Sequence, residues 1–269
     1  MISTIARRVQ DKIRLLVAIA RTRGDPSPGT ERHGLPAELV VSLTSYPPRF
    51  PTLARTLRSL LSQSVRPDRV ALWIAYEDLA ALPQEVRALT PFGLDIRGCE
   101  DLRSYTKIIY SLETWPDAYI VTADDDLYYE PHWLSTLVRG VIPVEKVIVC
   151  RRAHRSDLGT HYRDWQFDVI TDGTVEDDLF PTGVGGVLYP PKSLHSDTVD
   201  RRFMKLSPTA DDVWLYWMGR KAGSRYRQVG GGFAQVAWRG TQHNALGSLN
   251  IEHGNDDQLK AVAASEGSF

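Results

Sequence analysis

The chain alternates between two hydrophobic rhythms. Short apolar, β-branched runs are separated by segments whose apolar residues recur at helical spacing. LVVSLTS at 39–45 predicts a buried strand, and PTLARTLRSLLSQS at 51–64 predicts a helix through Leu53, Leu57, Leu60 and Leu61. RVALWIAY at 69–76 and LDIRGC at 94–99 are the next predicted strands. SYTKIIYSLETW at 104–115 predicts a helix, and AYIVTA at 118–123 a fourth strand. Strand–helix alternation of this kind predicts an α/β fold with a parallel, doubly wound sheet. In such sheets ligands bind beyond the carboxyl ends of the strands. The second half is less regular. KVIVC at 146–150 predicts a strand, FPTGVGGVLYPP at 180–191 is glycine-rich, then apolar, then turn-forming, and SPTADDVWLYWMGRKAG at 207–223 predicts a helix ending near Gly223.

The first 23 residues, MISTIARRVQDKIRLLVAIARTR, carry a different pattern. Ile2, Ile5, Ala6, Val9, Ile13, Leu16, Val17 and Ala20 fall on one helical stripe, broken by Leu15 and Ile19, while Arg7, Arg8, Lys12, Arg14 and Arg21 lie mostly off it. Charges interrupt the apolar core that a signal peptide needs. A basic amphipathic helix suits an anionic membrane surface, or else packs on its own domain or a partner. Residues 24–38, GDPSPGTERHGLPAE, read as a linker, leaving 39–269 as the main domain, with halves at 39–126 and 127–269.

Composition narrows the function classes. A chain of 269 residues with 42% hydrophobic and 24% charged positions can bury a sizeable core. Its formal net charge of −1 offers no footprint for nucleic acid. Cys99 and Cys150 form no CxxC, so the plain expectation is two reduced thiols in a cytoplasmic protein. No apolar run reaches the roughly 18 residues of a spanning helix.

The chemistry concentrates at the end of the fourth predicted strand. In DAYIVTADDDLYYEP, three adjacent carboxylates, Asp124, Asp125 and Asp126, follow an apolar run. Such carboxylates repel one another and need a partner. Asp oxygens are hard ligands suited to Mg2+ or Mn2+. A bound cation would keep positions open for phosphate oxygens and stabilise a departing diphosphate. The plainer alternative is a solvated turn that caps the helix starting near Pro131.

The apolar strand, ADDD, an aromatic residue and then PHWL resemble the metal-binding DxD segment of nucleotide-sugar glycosyltransferases with the GT-A fold. The likeness is greatest to glycosyltransferase family 2 and to enzymes of bacterial surface polysaccharide assembly. It covers roughly residues 39–260, with VVSLTSYPPR, RSYTKIIYSL, TGVGGVLYPP, ADDVWL and GNDDQL as further landmarks. It implies a Rossmann-like nucleotide-binding sheet and a smaller acceptor half. It also implies Mn2+ or Mg2+ at Asp124 and Asp126, and a nucleotide-diphosphate sugar, first of all a UDP-sugar. The acceptor implied is a glycan or lipid-linked glycan, and the place the cytoplasm or the inner face of the membrane. Thr44, Tyr46 and Arg49 would contact the nucleotide, as would Lys107, Arg103 and Asp125. Gly185 and Gly186 would lie under the donor sugar and acceptor, with Trp165 and Trp214 near the acceptor. Acidic residues after the second strand often touch the base in this family; here that region is IAYEDLAAL, so Glu77 or Asp78 would serve. A third metal ligand would be His243, with His253 as its rival.

SPTADDVWL decides the mechanism. An inverting transferase needs a base for the acceptor hydroxyl, and the family's acidic pair maps to Asp211 and Asp212, with Asp212 as the base. Thr209-x-x-Asp212 also reads as a capping box. In NDDQL, Asn255 or Asp256 reads as the cap of a last helix. Two rivals remain: a sugar-phosphate nucleotidyltransferase, whose glycine-rich loop after the first strand is missing from SLTSYPPRF, and a non-catalytic carbohydrate-binding scaffold.

Overall fold

The computed structural model describes residues 2–241 and 254–267. The chain opens with α1 (Ile2–Arg21) and the short strand β1 (Glu31–Arg32). Then follow β2 (Leu39–Thr44), α2 (Phe50–Leu61), β3 (Val65–Arg66), β4 (Arg69–Ala75), α3 (Gln84–Arg87) and β5 (Leu94–Cys99). Next come α4 (Thr106–Thr114), β6 (Tyr119–Thr122), α5 (Trp133–Arg139), β7 (Val147–Cys150) and β8 (Ala153–Arg155). The last part holds β9 (Val175–Glu176), β10 (Leu179–Pro181), β11 (Val187–Tyr189), α6 (Phe203–Leu206), α7 (Asp211–Lys221), β12 (Arg225–Gln228) and a final helix, Asn255–Glu266.

An eight-stranded sheet in the order β5-β4-β2-β6-β11-β7-β12-β9 runs through the α/β fold. Its first four strands are parallel. The second half departs from the all-parallel expectation, because β11 inserts antiparallel between β6 and β7. Side chains on successive strand residues face opposite layers. Val40, Ala71, Trp73, Ile120, Ile148 and Cys150 join the layer of α4 and α7, which adds Ile108, Val213 and Trp217. Leu39, Val41, Leu43, Leu72, Val121 and Val149 join the layer of α2 and α5, which adds Leu53, Leu57 and Leu134. With both faces covered, the strands read as continuous apolar runs rather than alternating ones.

Residues 24–38 are stitched onto the domain. Ser27 donates its N–H to Ser62 Oγ, Gly29 donates to the Gln63 carbonyl, and β1 pairs parallel with β3. Helix α1 turns inward the two residues that broke its apolar stripe. Leu15 and Ile19 pack, with buried Ala18, against Tyr128, Val236 and Trp238. Val9, Ile13, Leu16 and Val17 remain exposed. Among the described residues no helix is long and apolar enough to cross a membrane.

Candidate active site

Four parallel strand ends, of β2, β4, β5 and β6, and one helix start build the site. Asp124, Asp125 and Asp126 leave the carboxyl end of β6, held by two tyrosine-centred contacts. The Asp124 N–H donates to Tyr129 Oη at 2.7 Å, and Tyr129 is itself buried against Trp133. The loop after β2 supplies Ser45, Tyr46 and Arg49. Together with Thr44, Asp78, Asp101, Arg103 and Lys107, the loop and the acidic turn line a cavity of about 480 Å3. It lies where open α/β sheets bind ligands.

The carboxylates find their partners within the protein. Arg49 Nη1 bonds Asp126 Oδ2 at 2.5 Å, Ser45 Oγ donates to Asp125 Oδ2 at 2.6 Å, and Lys107 Nζ donates to Asp124 Oδ1 at 2.9 Å. None of them caps α5, whose N-cap is His132 and has no side-chain cap bond. Burial pushes the Asp125 carboxyl up to about 6, with the Ser45 hydrogen bond working against it. Burial also raises Asp126, helped by the charge of Asp124 and opposed by Arg49. In both groups burial outweighs the cation and hydroxyl that hold the ionised form. Lys107 is buried, which by itself lowers an ammonium, yet Asp124 and Asp211 keep it raised. Its Nζ lies 3.7 Å from Asp211 Oδ2, so one ammonium links the acidic turn to the start of α7.

Asp212 does not close a capping box. The N-cap of α7 is Ala210, with no side-chain cap bond. Asp212 Oδ1 instead accepts the N–H of Gly183 at 2.9 Å, and Gln258 Nε2 donates to Thr209 Oγ1. Burial, then the charge of Asp211, raises Asp212 well above the usual carboxylate range, against Lys107 and the Gly183 N–H. Such a group takes up a proton near neutrality. Gly183 belongs to this pair: a Cβ there would lie 3.3 Å from Asp212 Oδ1 and 3.5 Å from Lys107 Nζ.

Several expected site residues have other duties. Gly185 and Gly186, with φ of +95° and +93°, sit against the protein's own rings. Their Cβ positions fall 3.0 Å from Phe233 and 2.5 Å from Trp133. Gly186→Ala is expected to cost about 1–3 kcal/mol by overpacking, with backbone strain added; calorimetric melting against wild type measures it. Trp165 and Trp214 are core residues, donating to the carbonyls of Asp157 and Thr198, so neither forms an acceptor wall. Arg103 precedes α4 in a short 3₁₀ turn, with φ +58°, so it shares the cavity with Lys107 but not a helix face. Of Glu77 and Asp78, Asp78 lines the cavity. Asp256 accepts the Tyr162 N–H and pairs with His161, and Gly254 takes the cap position of the last helix. His243 and His253 lie outside the described residues. Ser45, Asp101 and Gly183 had no distinguishing local pattern, although Ser45 directly follows a strand end.

Among the described residues no group of three or more His, Cys, Asp and Glu side chains could hold a metal ion. Asp124 and Asp126 bring hard carboxylate oxygens to one turn, where Lys107 and Arg49 hold them. Mg2+ and Mn2+ are held by such oxygens when waters and substrate phosphates complete the shell.

No protein-family model and no curated protein matches the sequence. Similar solved structures include GalNAc-T7 with UDP, GalNAc and Mn2+, at 12% identity and a TM-score of 0.47, over 85% of this chain and 48% of that one. This chain therefore spans about half the length of that protein. Another is the mannosyltransferase PcManGT from Pyrobaculum calidifontis in complex with GDP-Man and Mn2+, at 12% identity and a TM-score of 0.46, over 99% and 86% of the two chains. A third is 4-diphosphocytidyl-2C-methyl-D-erythritol synthase from Anaerococcus prevotii DSM 20548, at 12% identity and 0.41, over 85% and 98%.

Proposed function

We propose that the chain is a GT-A glycosyltransferase that moves a sugar from a nucleotide-diphosphate donor to a glycan or lipid-linked acceptor, with inversion at the anomeric carbon. One observation carries this reading: Lys107 joins the acidic turn at the end of β6 to the acidic pair that starts α7. A diphosphate-binding turn and a proton acceptor thereby share one centre. The nucleotide would occupy the 480 Å3 cavity, with Tyr46 and Asp78 toward the base and Arg49, Arg103 and Lys107 toward the phosphates. Asp124 and Asp126 would hold Mn2+ or Mg2+. When bound, the cation supplies charge stabilisation to the departing diphosphate.

The chain's own residues then have distinct work. Asp212 takes the acceptor hydroxyl proton as the new bond forms to the anomeric carbon. The bond from that carbon to the diphosphate oxygen breaks, and the electron pair leaves with the nucleotide diphosphate. The Gly183 N–H holds Asp212 Oδ1, so the other oxygen is the one turned to the acceptor. Lys107 offsets the negative charge around both centres. The test is calorimetric titration with UDP and with GDP, with Mn2+ and with EDTA, followed by screening of nucleotide sugars. Metal-dependent nucleotide binding is expected; undiminished binding and turnover in EDTA would sink the metal assignment.

The same reading extends to place and partner: α1 lies on an anionic membrane surface in a polysaccharide pathway. Its exposed stripe of Val9, Ile13, Leu16 and Val17 is accompanied by exposed Lys12, Arg21 and Arg23. Apolar area and basic charge add in such binding. Leu16→Asp alters only the outward face, because Leu15, Ala18 and Ile19 make the inward contacts. Binding to vesicles of phosphatidylglycerol is expected to fall about tenfold. Equal binding of the variant would remove the membrane from this reading.

A further inference from the structure

A second cavity, of about 1020 Å3, lies between α1, the end of β7 and the loop from Gly231 to Gln235. It borders the catalytic centre across a single turn. Val184 lines it, while the neighbouring Gly183 is held by Asp212. Arg152 Nη1 also donates to Thr182 Oγ1 at 3.2 Å, from the cavity side of the same turn.

The charges of the cavity do not cancel. Arg14 pairs with Asp11 at 3.8 Å, and Arg152 pairs with Asp168. Arg151 remains. Its Nη2 donates to the Gly232 carbonyl at 3.0 Å, its Nε is sealed from solvent without a hydrogen-bond partner, and among the described residues no carboxylate forms an ion pair with it. Burial lowers the Arg151 guanidinium from its ordinary value, and the charge of Glu130 offsets this only in part. A guanidinium placed this way is short of an anion, and its planar fork suits a phosphate.

We propose that this cavity binds a phosphate group of the acceptor, with Arg151 as its principal ligand. The inference rests on the transferase reading, since it assigns the substrate class of that same centre. The acceptor is then a phosphorylated glycan or polyol, either free or carried on a lipid. Helix α1 supplies one wall of the cavity through Gln10 and Arg14 and turns its apolar stripe outward, so a lipid-borne phosphate can reach the cavity beside the helix.

The experiment titrates inorganic pyrophosphate into the full chain by calorimetry in EDTA, which removes cation-bridged binding at Asp124 and Asp126. Arg151→Met is expected to weaken binding about tenfold or more, as loss of a charge-assisted hydrogen bond does. Gln235→Glu places a negative charge on an exposed loop residue at the rim and is expected to weaken it less, without risk to folding. In a second arm, vesicles of phosphatidylcholine with phosphatidic acid replace pyrophosphate. A response to Arg151→Met only on vesicles assigns a lipid headgroup; a response in solution assigns a free phosphate ester. The inference is overturned if neither probe responds to Arg151→Met and Gln235→Glu. It is equally overturned if Arg103→Met removes the pyrophosphate binding, because the anion then sits in the first cavity. Absence of metal-dependent nucleotide binding in the wild type would instead overturn the transferase reading and leave the Arg151 measurement intact.

Discussion

Asp212→Asn is expected to reduce sugar transfer about 10²–10⁴-fold, the usual cost of losing a general base. The fold should survive. The asparagine amide oxygen still accepts the Gly183 N–H that Asp212 Oδ1 accepts now. No helix cap is lost, because α7 has no side-chain cap to lose. Nucleotide binding and melting temperature are therefore expected to stay near wild type, with only the transfer step removed. The pH profile follows from the same group. Asp212 must be ionised to take a proton, and burial beside Asp211 raises it above the ordinary carboxylate range. Activity is thus lost as pH falls through that raised value, nearer neutrality than the ordinary carboxylate value of about 4. An acid limb near pH 4, or a fully active Asp212→Asn, would show that Asp212 only positions the Gly183 turn. Product anomer analysis by NMR completes the test, since a base-assisted single displacement inverts the configuration.

Lys107→Met is expected to cost about 3–5 kcal/mol of stability in the metal-free protein. The variant keeps an unbranched apolar stem but removes a buried ammonium that faces Asp124 at 2.9 Å and Asp211 at 3.7 Å. Asp124 in the turn and Asp211 at the start of α7 then lose the ammonium they share. A cation bound at Asp124 and Asp126 would supply positive charge to the same turn. Added Mn2+ is therefore expected to raise the melting temperature of Lys107→Met more than that of wild type, by mass action on the folded state. Thermal denaturation with Mn2+ and with EDTA reads this without any turnover. Equal Mn2+ shifts in both proteins would argue against Asp124 as a ligand.

The sequence by itself determined the layers and placed the acidic triplet at a strand's carboxyl end. The apolar runs at β2, β4, β6 and β7 had to be central strands, because both of their faces are buried. The leucines of α2 marked its inward side, and three carboxylates at the end of such a strand marked the mouth of the sheet. These are local signals, carried by periods of two and 3.6 residues. Short β9 and polar β12, RYRQ, left no such signal, nor did the antiparallel insertion of β11. On α1 the pattern was legible but its sense was not: the residues that broke the stripe are the ones that pack.

Only the tertiary structure decided the partners. Arg49 reaches Asp126 across 77 residues, Lys107 reaches Asp211, and Gly183 holds Asp212 across 29 residues. That Asp212 accepts the Gly183 N–H rather than capping α7, and that Phe233 and Trp133 pack on Gly185 and Gly186, was decided the same way. Each outcome depends on which side chain another strand or helix brings within a few ångströms, and strand order and register set that. Periodicity along the chain records which face a residue turns inward; it holds no record of what waits there.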